Sequence, residues 1–151
     1  MQLNWIYKIF DELTARELYA IIHLRNEVFV VEQNCVYQDA DSKDVESYHL
    51  CGWDGDKLAA YCRIIPPDIS YPECSIGRVV SSAVYRGSGA GRALMKLAIE
   101  KAFTEFNGVP IKISAQLYVR DFYISLGFIQ SGNQYLEDGI PHIEMMLKNN
   151  G

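Results

Sequence analysis

The spacing of hydrophobic and polar positions changes several times along the chain, and each change marks an element. Residues 3–10 alternate weakly between apolar and polar side chains, which predicts a strand. Thr14-Ala15-Arg16-Glu17 has the form of a capping box, a common helix start. Leu18, Ile21, Ile22, Arg25, Val28 and Phe29 then run at helical spacing to about Val31. Residues 32–47 are polar, with Asp39, Asp41, Lys43, Asp44 and Glu46, and read as an exposed loop. Residues 48–53 and 58–65 read as two strands joined by Asp54-Gly55-Asp56-Lys57, a hairpin signal, and Pro66-Pro67 stops the second.

A further strand over 74–81 leads to Arg86-Gly87-Ser88-Gly89-Ala90-Gly91-Arg92. Helical spacing follows over 93–106, with Leu94, Leu97, Ala98, Ala102 and Phe106 on one face. Asn107-Gly108 ends this helix and Pro110 bars its continuation. Residues 111–115 predict a short strand, and 119–126 a short helix closed by Gly127. Two last strands, about 128–135 and 140–147, flank the Glu137-Asp138-Gly139 turn. The order β-α-β-β-β-α-β-α-β-β describes an α/β chain whose hairpin-rich first half calls for a mixed rather than all-parallel sheet. With no internal repeat, low-complexity tract or linker, residues 1–151 read as a single domain.

Composition narrows the classes of function. Hydrophobic residues make up 49% and charged residues 22% of 151, an ordinary globular profile. The net charge of −5 and the lack of any Lys/Arg cluster argue against nucleic acid as a partner. No apolar run is long enough to cross a bilayer, and Met1-Gln2-Leu3-Asn4-Trp5 lacks the basic start of a signal peptide, so a soluble cytoplasmic protein without a membrane partner is expected. Cys35, Cys51, Cys62 and Cys74 are widely spaced and lack zinc-site spacing. They read as small buried apolar residues, and no metal is expected.

Strand, glycine-rich turn and helix present backbone N–H groups to a phosphate, and Arg86 and Arg92 can add charge-assisted hydrogen bonds. The turn is not a Walker A loop, because no Gly-Lys-Ser/Thr follows. Glycines at 87, 89 and 91 are also out of register with the dinucleotide fingerprint. A flexible turn with glycines for geometry alone is the bland alternative. The pattern that fits is Arg-x-x-Gly-x-Gly, carried by Arg86, Gly89 and Gly91. Here the chain resembles the GNAT superfamily of acyl-CoA-dependent N-acyltransferases. Arg78-Val79-Val80-Ser81-Ser82-Ala83-Val84-Tyr85 is similar to the family's approach to this loop, with Ala83 where proline is common. Phe122-Tyr123-Ile124-Ser125-Leu126-Gly127-Phe128 resembles its second hallmark. Residues 24–33 and 137–143 resemble the ElaA-type branch, which does not supply a substrate.

The resemblance implies a GNAT-like acyl-CoA N-acyltransferase fold, with a mixed, mostly antiparallel sheet flanked by helices, together with a cosubstrate and roles for named residues. Acetyl-CoA would lay its pyrophosphate on Arg86, Gly87, Ser88, Gly89, Ala90, Gly91 and Arg92, and its pantetheine along Val79, Val80 and Ser81. The backbone at Val80 would polarise the thioester carbonyl, and Tyr123 would touch the coenzyme sulfur as general acid. Attack by a primary amine needs help with a proton, since an alkylammonium near pKa ~10 is mostly protonated at neutral pH. Glu73, before the central strand, and His142, on the last one, are the two candidate bases, with Glu144 as a rim charge. Tyr118 is a second choice for the acid, while His23 and His49 read as structural. Arg78 either touches the acceptor or fills a buried ion pair. Cys62 is the best-placed cysteine for an acyl-enzyme, but no His or Asp near it in sequence would activate it, which favours direct attack. By resemblance the partner is a small-molecule or peptide amine, and a homodimer through the last strands is implied. The competing readings are a non-catalytic acyl-CoA-binding or sensing module of the same fold, and a binder of another nucleotide phosphate.

Overall fold

A computed structural model describes residues 2–150. Among these residues seven strands form two antiparallel sheets. The first has the order β1 (Asn4–Ile9), β2 (Tyr48–Asp54), β3 (Lys57–Ile65), β4 (Ser75–Ser81). The second has the order β5 (Ile111–Gln116), β7 (Ile140–Leu147), β6 (Ile129–Glu137). Cys74, just before β4, makes a parallel bridge to Ile111 at the start of β5, and the Lys112 N–H donates to the Cys74 carbonyl at 2.9 Å. Beyond that bridge β4 and β5 are not paired among the described residues. The mixed sheet expected from the element order is thus split, and a cleft opens between its central strands.

Helix α1 (Ala15–Arg25) starts at a true capping box: Thr14 accepts from the Glu17 N–H at 3.1 Å, and Glu17 accepts from the Thr14 N–H at 2.8 Å. It continues as a π-helix over Asn26–Glu32, one residue beyond the expected end. Helix α3 (Ala90–Glu105) begins three residues earlier than the spacing of apolar positions predicts, with Gly89 as its N-cap. Between them lies the short α2 (Lys43–Glu46), and α4 (Arg120–Ser125) follows β5.

Alternation along the strands sends side chains to both faces of the first sheet. Leu50 and Cys62 pack on one face with Leu94, Met95, Ala98 and Ala102 of α3. Cys51, Tyr61 and Val80 pack on the other with Ile21, Leu24 and Val28 of the first helical segment. Each fully buried large apolar side chain contributes roughly 1.5–3 kcal/mol, so both helices are held by their stripes rather than by propensity. Among the described residues no helix is long and apolar enough to cross a membrane.

The segment 32–47 departs from expectation. Asp39, Asp44 and Ser47 are buried, and the acids pair with three arginines. Arg25 meets Asp39 at 2.8 Å and Asp44 at 2.7 Å, Arg63 meets Asp41 at 2.6 Å and Asp44 at 2.8 Å, and Arg78 meets Asp39 at 2.9 Å. The physical reason lies on α1 and β3. Arg25 and Arg63 are carried into the interior by apolar faces, and a buried cation needs buried anions. The polar segment supplies them, and so it is structural, not a solvated loop.

Candidate active site

A cleft of about 1130 Å³ runs between the two sheets. One wall is β4 from Ser75 to Ser81, and the opposite wall includes Ile113, Ser114, Ala115 and Gln116 of β5. Arg86 and Gly91 line it too, as do His142, Glu137 and Asp138, with Tyr123 and Phe122.

The glycine turn borders the cleft at Arg86 and Gly91. Gly87 and Gly89 have φ of +81° and +88°, a region that side chains with a Cβ rarely adopt. Tyr85, buried in the core, donates to Asp54 at 2.7 Å, and Ser88 donates to the Tyr85 carbonyl, so both chemistry and packing anchor the turn. Ala93 donates to Gly89 at 3.0 Å and closes the first helical turn. The N–H groups of Gly87, Gly89, Gly91 and Arg92 have no acceptor among the described residues. They form an anion cradle at the positive end of a sixteen-residue helix. The arginines beside it are already engaged. Arg86 makes a two-pronged ion pair with Glu32, whose carboxyl it holds below the usual range, and Arg92 donates to Ser125 at 2.8 Å while lying over Phe122.

The wall formed by β4 is bulged. Tyr61 faces Val80 and Arg63 faces Gly77, so Cys62 alone opposes both Arg78 and Val79. Arg78 takes the left-handed conformation, φ +51°. A bulge of this kind leaves one residue outside the ladder, and here the strand that carries it lines the cleft. The bulge is centred on Arg78 and Val79, just before Val80.

Tyr123 is 8% exposed and packs edge-on against Phe122 and Phe128. Burial, helped by Cys62 and Tyr118, pushes its phenol well above the ordinary value. Its hydroxyl has no hydrogen-bond partner among the described residues. Tyr118 is also on the lining but largely exposed. His142 is 6% exposed; its Nδ1 lies 2.7 Å from the Ile140 carbonyl and its Nε2 3.5 Å from Glu137 Oε2. A carbonyl only accepts, so Nδ1 carries the proton of the neutral ring and Nε2 keeps its lone pair. Tyr135 stacks on this ring and hydrogen-bonds to Ser114. Burial, with Tyr135, Glu144 and Glu137 nearby, pushes the Tyr71 phenol up to about 12.

Other sequence candidates lie apart. Glu73 precedes β4, half-buried, and is not on the cleft lining. Glu144 pairs with Lys112 at 3.2 Å. Cys62 is fully buried, and burial pushes its thiol up, which disfavours the thiolate that a nucleophile needs. His49 is buried between Tyr61 and the Asp44 carbonyl, and His23 is exposed beside Tyr19. Among the described residues no group of three or more His, Cys, Asp or Glu is placed to hold a metal ion. Glu32, Gln33 and Glu137 fall inside the stretches that resemble the ElaA-type branch, but the motifs assign them no role, and the Gln33–Gln116 amide pair shows only in the folded chain. Arg25 did leave a signal: it occupies an apolar-face position in the helical pattern, which foretells a buried charge.

Two sheets splayed around a cleft, with a glycine-turn helix bordering it, are the acyl-CoA N-acyltransferase fold. The chain belongs to the GNAT family: residues 14–149 match the family described as Acetyltransferase (GNAT) domain. It is similar to Protein ElaA of Escherichia coli (strain K12), 41% identical over 95% of each chain. Among solved structures it is similar to an acyl-CoA N-acyltransferase from Pseudomonas aeruginosa, with 42% identity, a TM-score of 0.92, and 97% of this chain and 99% of that one covered. An aminoglycoside 6'-N-acetyltransferase complexed with coenzyme A shares the fold at 18% identity and a TM-score of 0.70, over 95% of this chain and 96% of that one.

Proposed function

We propose that this protein transfers an acetyl group from acetyl-CoA to a primary amine by direct attack. The observation that carries the reading is the meeting, in one cleft, of the anion cradle at α3, the bulged strand β4 and the buried phenol of Tyr123. The pyrophosphate of the coenzyme sits on the N–H groups of residues 87–92, with Arg86 and Arg92 beside it. The pantetheine arm follows Val79, Val80 and Ser81, and a main-chain N–H at the bulge polarises the thioester carbonyl. A neighbour of the same fold that is complexed with coenzyme A supports the choice of ligand class.

The amine enters past His142, Glu137 and Tyr71 of the cleft lining. His142 Nε2 accepts its proton, directly or through a water, and Glu137 stabilises the imidazolium that results. As the tetrahedral intermediate collapses, Tyr123 gives its proton to the departing thiolate. The burial of Cys62 supports direct attack over an acyl-enzyme route. Residues 1–151 act in this reading as one acyltransferase domain.

Calorimetric titration with coenzyme A, on the natural chain and on Gly91→Glu, tests the ligand. A Cβ at Gly91 would meet open space, and its backbone conformation suits any residue, so the fold survives the change. The added carboxylate repels the pyrophosphate, and affinity falls by about thirtyfold or more. Equal affinity for the two proteins rules the cradle out. Thiol release from acetyl-CoA over a panel of polyamines, amino acids, amino sugars and peptide N-termini then identifies the acceptor. Tight coenzyme binding with no turnover on any of them favours the sensing module instead.

A further inference from the structure

Arg78 combines two features that the reaction outlined above does not use. It is a residue with a Cβ held at φ +51° in the middle of a central strand, and its guanidinium is tied into the acidic segment. Such a conformation is unfavourable for arginine and persists only where the surroundings over-determine it. Here they do. Arg78 Nε lies 2.9 Å from Asp39 Oδ1, and a terminal nitrogen donates to the Asp39 main-chain oxygen at 2.9 Å and lies 3.5 Å from Asp41 Oδ2. The guanidinium also lies 5.7 Å from the centroid of the Tyr37 ring.

Asp39 is a fixed post. It is 4% exposed, its Oδ2 accepts from Arg25 Nε at 2.8 Å, and its carbonyl accepts from Arg25 at 2.9 Å. Arg25 in turn is locked by Asp44, which also takes Arg63 of β3, the neighbour of the single residue opposite the bulge. The tether therefore runs from α1 and β3, through Asp39, to the point where β4 leaves its register. Three arginines balance Asp39, Asp41 and Asp44, so the acidic segment offers little net field to an acceptor. One terminal nitrogen of the Arg78 guanidinium donates within the protein, and Nε, which makes no hydrogen bond, faces the Asp39 carboxylate at ion-pair distance, so the cation is already matched by an internal anion.

We propose that Arg78 is a positioning residue: its tether to Asp39 holds the β4 bulge in the shape that presents a main-chain N–H to the thioester carbonyl. This rests on the coenzyme reading of the cleft. Asp39 itself does not line the cleft and acts at one remove, through Arg78.

The test uses the full chain with acetyl-CoA labelled at its carbonyl carbon, read by isotope-edited infrared spectroscopy. Binding to the natural protein lowers the carbonyl stretch relative to free acetyl-CoA, as a polarised thioester requires. Arg78→Gly accepts the left-handed backbone without strain but cuts the tether, and it loses about half or more of that displacement. Asp39→Asn, outside the cleft, loses displacement in the same sense, and Arg78→Lys, whose ammonium still pairs with Asp39, keeps most of it. Coenzyme affinity by calorimetry stays within about threefold for all three, because the cradle at α3 is untouched. A natural displacement in a folded Arg78→Gly protein overturns the proposal, and so does a bound carbonyl that never shifts in the natural protein. A tenfold loss of coenzyme affinity, on the order of 1.4 kcal/mol, also overturns it, by moving the role of Arg78 to ligand binding. Failure of the natural protein to bind acetyl-CoA at all removes the coenzyme reading together with the proposal that depends on it.

Discussion

A phenol that is to protonate a departing thiolate must keep its proton until the thiolate forms, and a low-polarity environment ensures this. Tyr123 has that environment: the aromatic edges of Phe122 and Phe128 enclose it, and burial raises its phenol well above the ordinary value. In the proposed reaction Tyr123→Phe removes the proton donor while leaving shape and packing in place. Turnover is expected to fall by about a hundredfold, with coenzyme affinity within about twofold. Steady-state rates beside calorimetry check this, and natural turnover in the variant would strike Tyr123 from the mechanism. The tyrosine was legible in the chain because its neighbours Gly127 and Phe128 form a local block. Choosing between His142 and Glu73 as base was not possible from sequence, since both stand near strand ends. Only the pairing of β7 with β5 and β6 puts the His142 ring on the cleft, while Glu73 stays off its lining.

At the scale of elements, the acidic segment 32–47 and α1 depend on each other. Arg25 is fully buried, and it has Asp39 and Asp44 as ion partners. Burial by itself would raise the Asp44 carboxyl, but hydrogen bonds and charge from Arg25 and Arg63 hold it below the usual range. Arg25→Ala leaves two buried carboxylates short of a cation and is expected to destabilise the fold by about 3–5 kcal/mol in chemical denaturation. A loss no larger than that of an exposed ion pair would mean that the segment is held by something other than its charges. Helical spacing predicted α1 and placed Arg25 on its buried face, yet the polarity of residues 32–47 pointed to solvent. Polarity is a one-residue property, and burial depends on whether a partner of opposite charge arrives from another element.

Over the whole molecule, the interior carries a polar network whose proton affinity sets the response to acid. His49 Nε2 donates to the Asp44 carbonyl at 2.8 Å, so its Nδ1 accepts from the Tyr61 hydroxyl at 2.7 Å, and the neutral ring satisfies both. Burial lowers its proton affinity below that of an exposed histidine, with the nearby arginines adding to the effect. The unfolded chain then takes up a proton near pH ~6.5 that the folded chain refuses, so this share of stability is complete above that pH and is lost as pH falls. Asp41 and Asp44 are held low by their arginines, so their share is complete above pH ~3.9 and is lost as pH falls through their folded values. Thermal melting should therefore show a first decline below pH ~6.5 and a second, steeper one below pH ~4. His49→Gln removes the first limb only, and a melting temperature that is flat between neutral pH and mild acid would contradict the assignment.

Much of this architecture was readable from the chain: the capping box at Thr14, the apolar stripe of α3, the hairpin at Asp54-Gly55 and the glycine turn before α3. Each is written in a few neighbouring residues, because capping, stripe periodicity and left-handed turns are short-range physics. Tertiary structure alone decided the split between β4 and β5, the bulge at Arg78, the burial of Asp39 and Asp44 and the placing of His142 on the same cleft as Tyr123. These features depend on register and charge pairing between residues far apart in the chain. A sequence names both members of such a pair without saying that they meet.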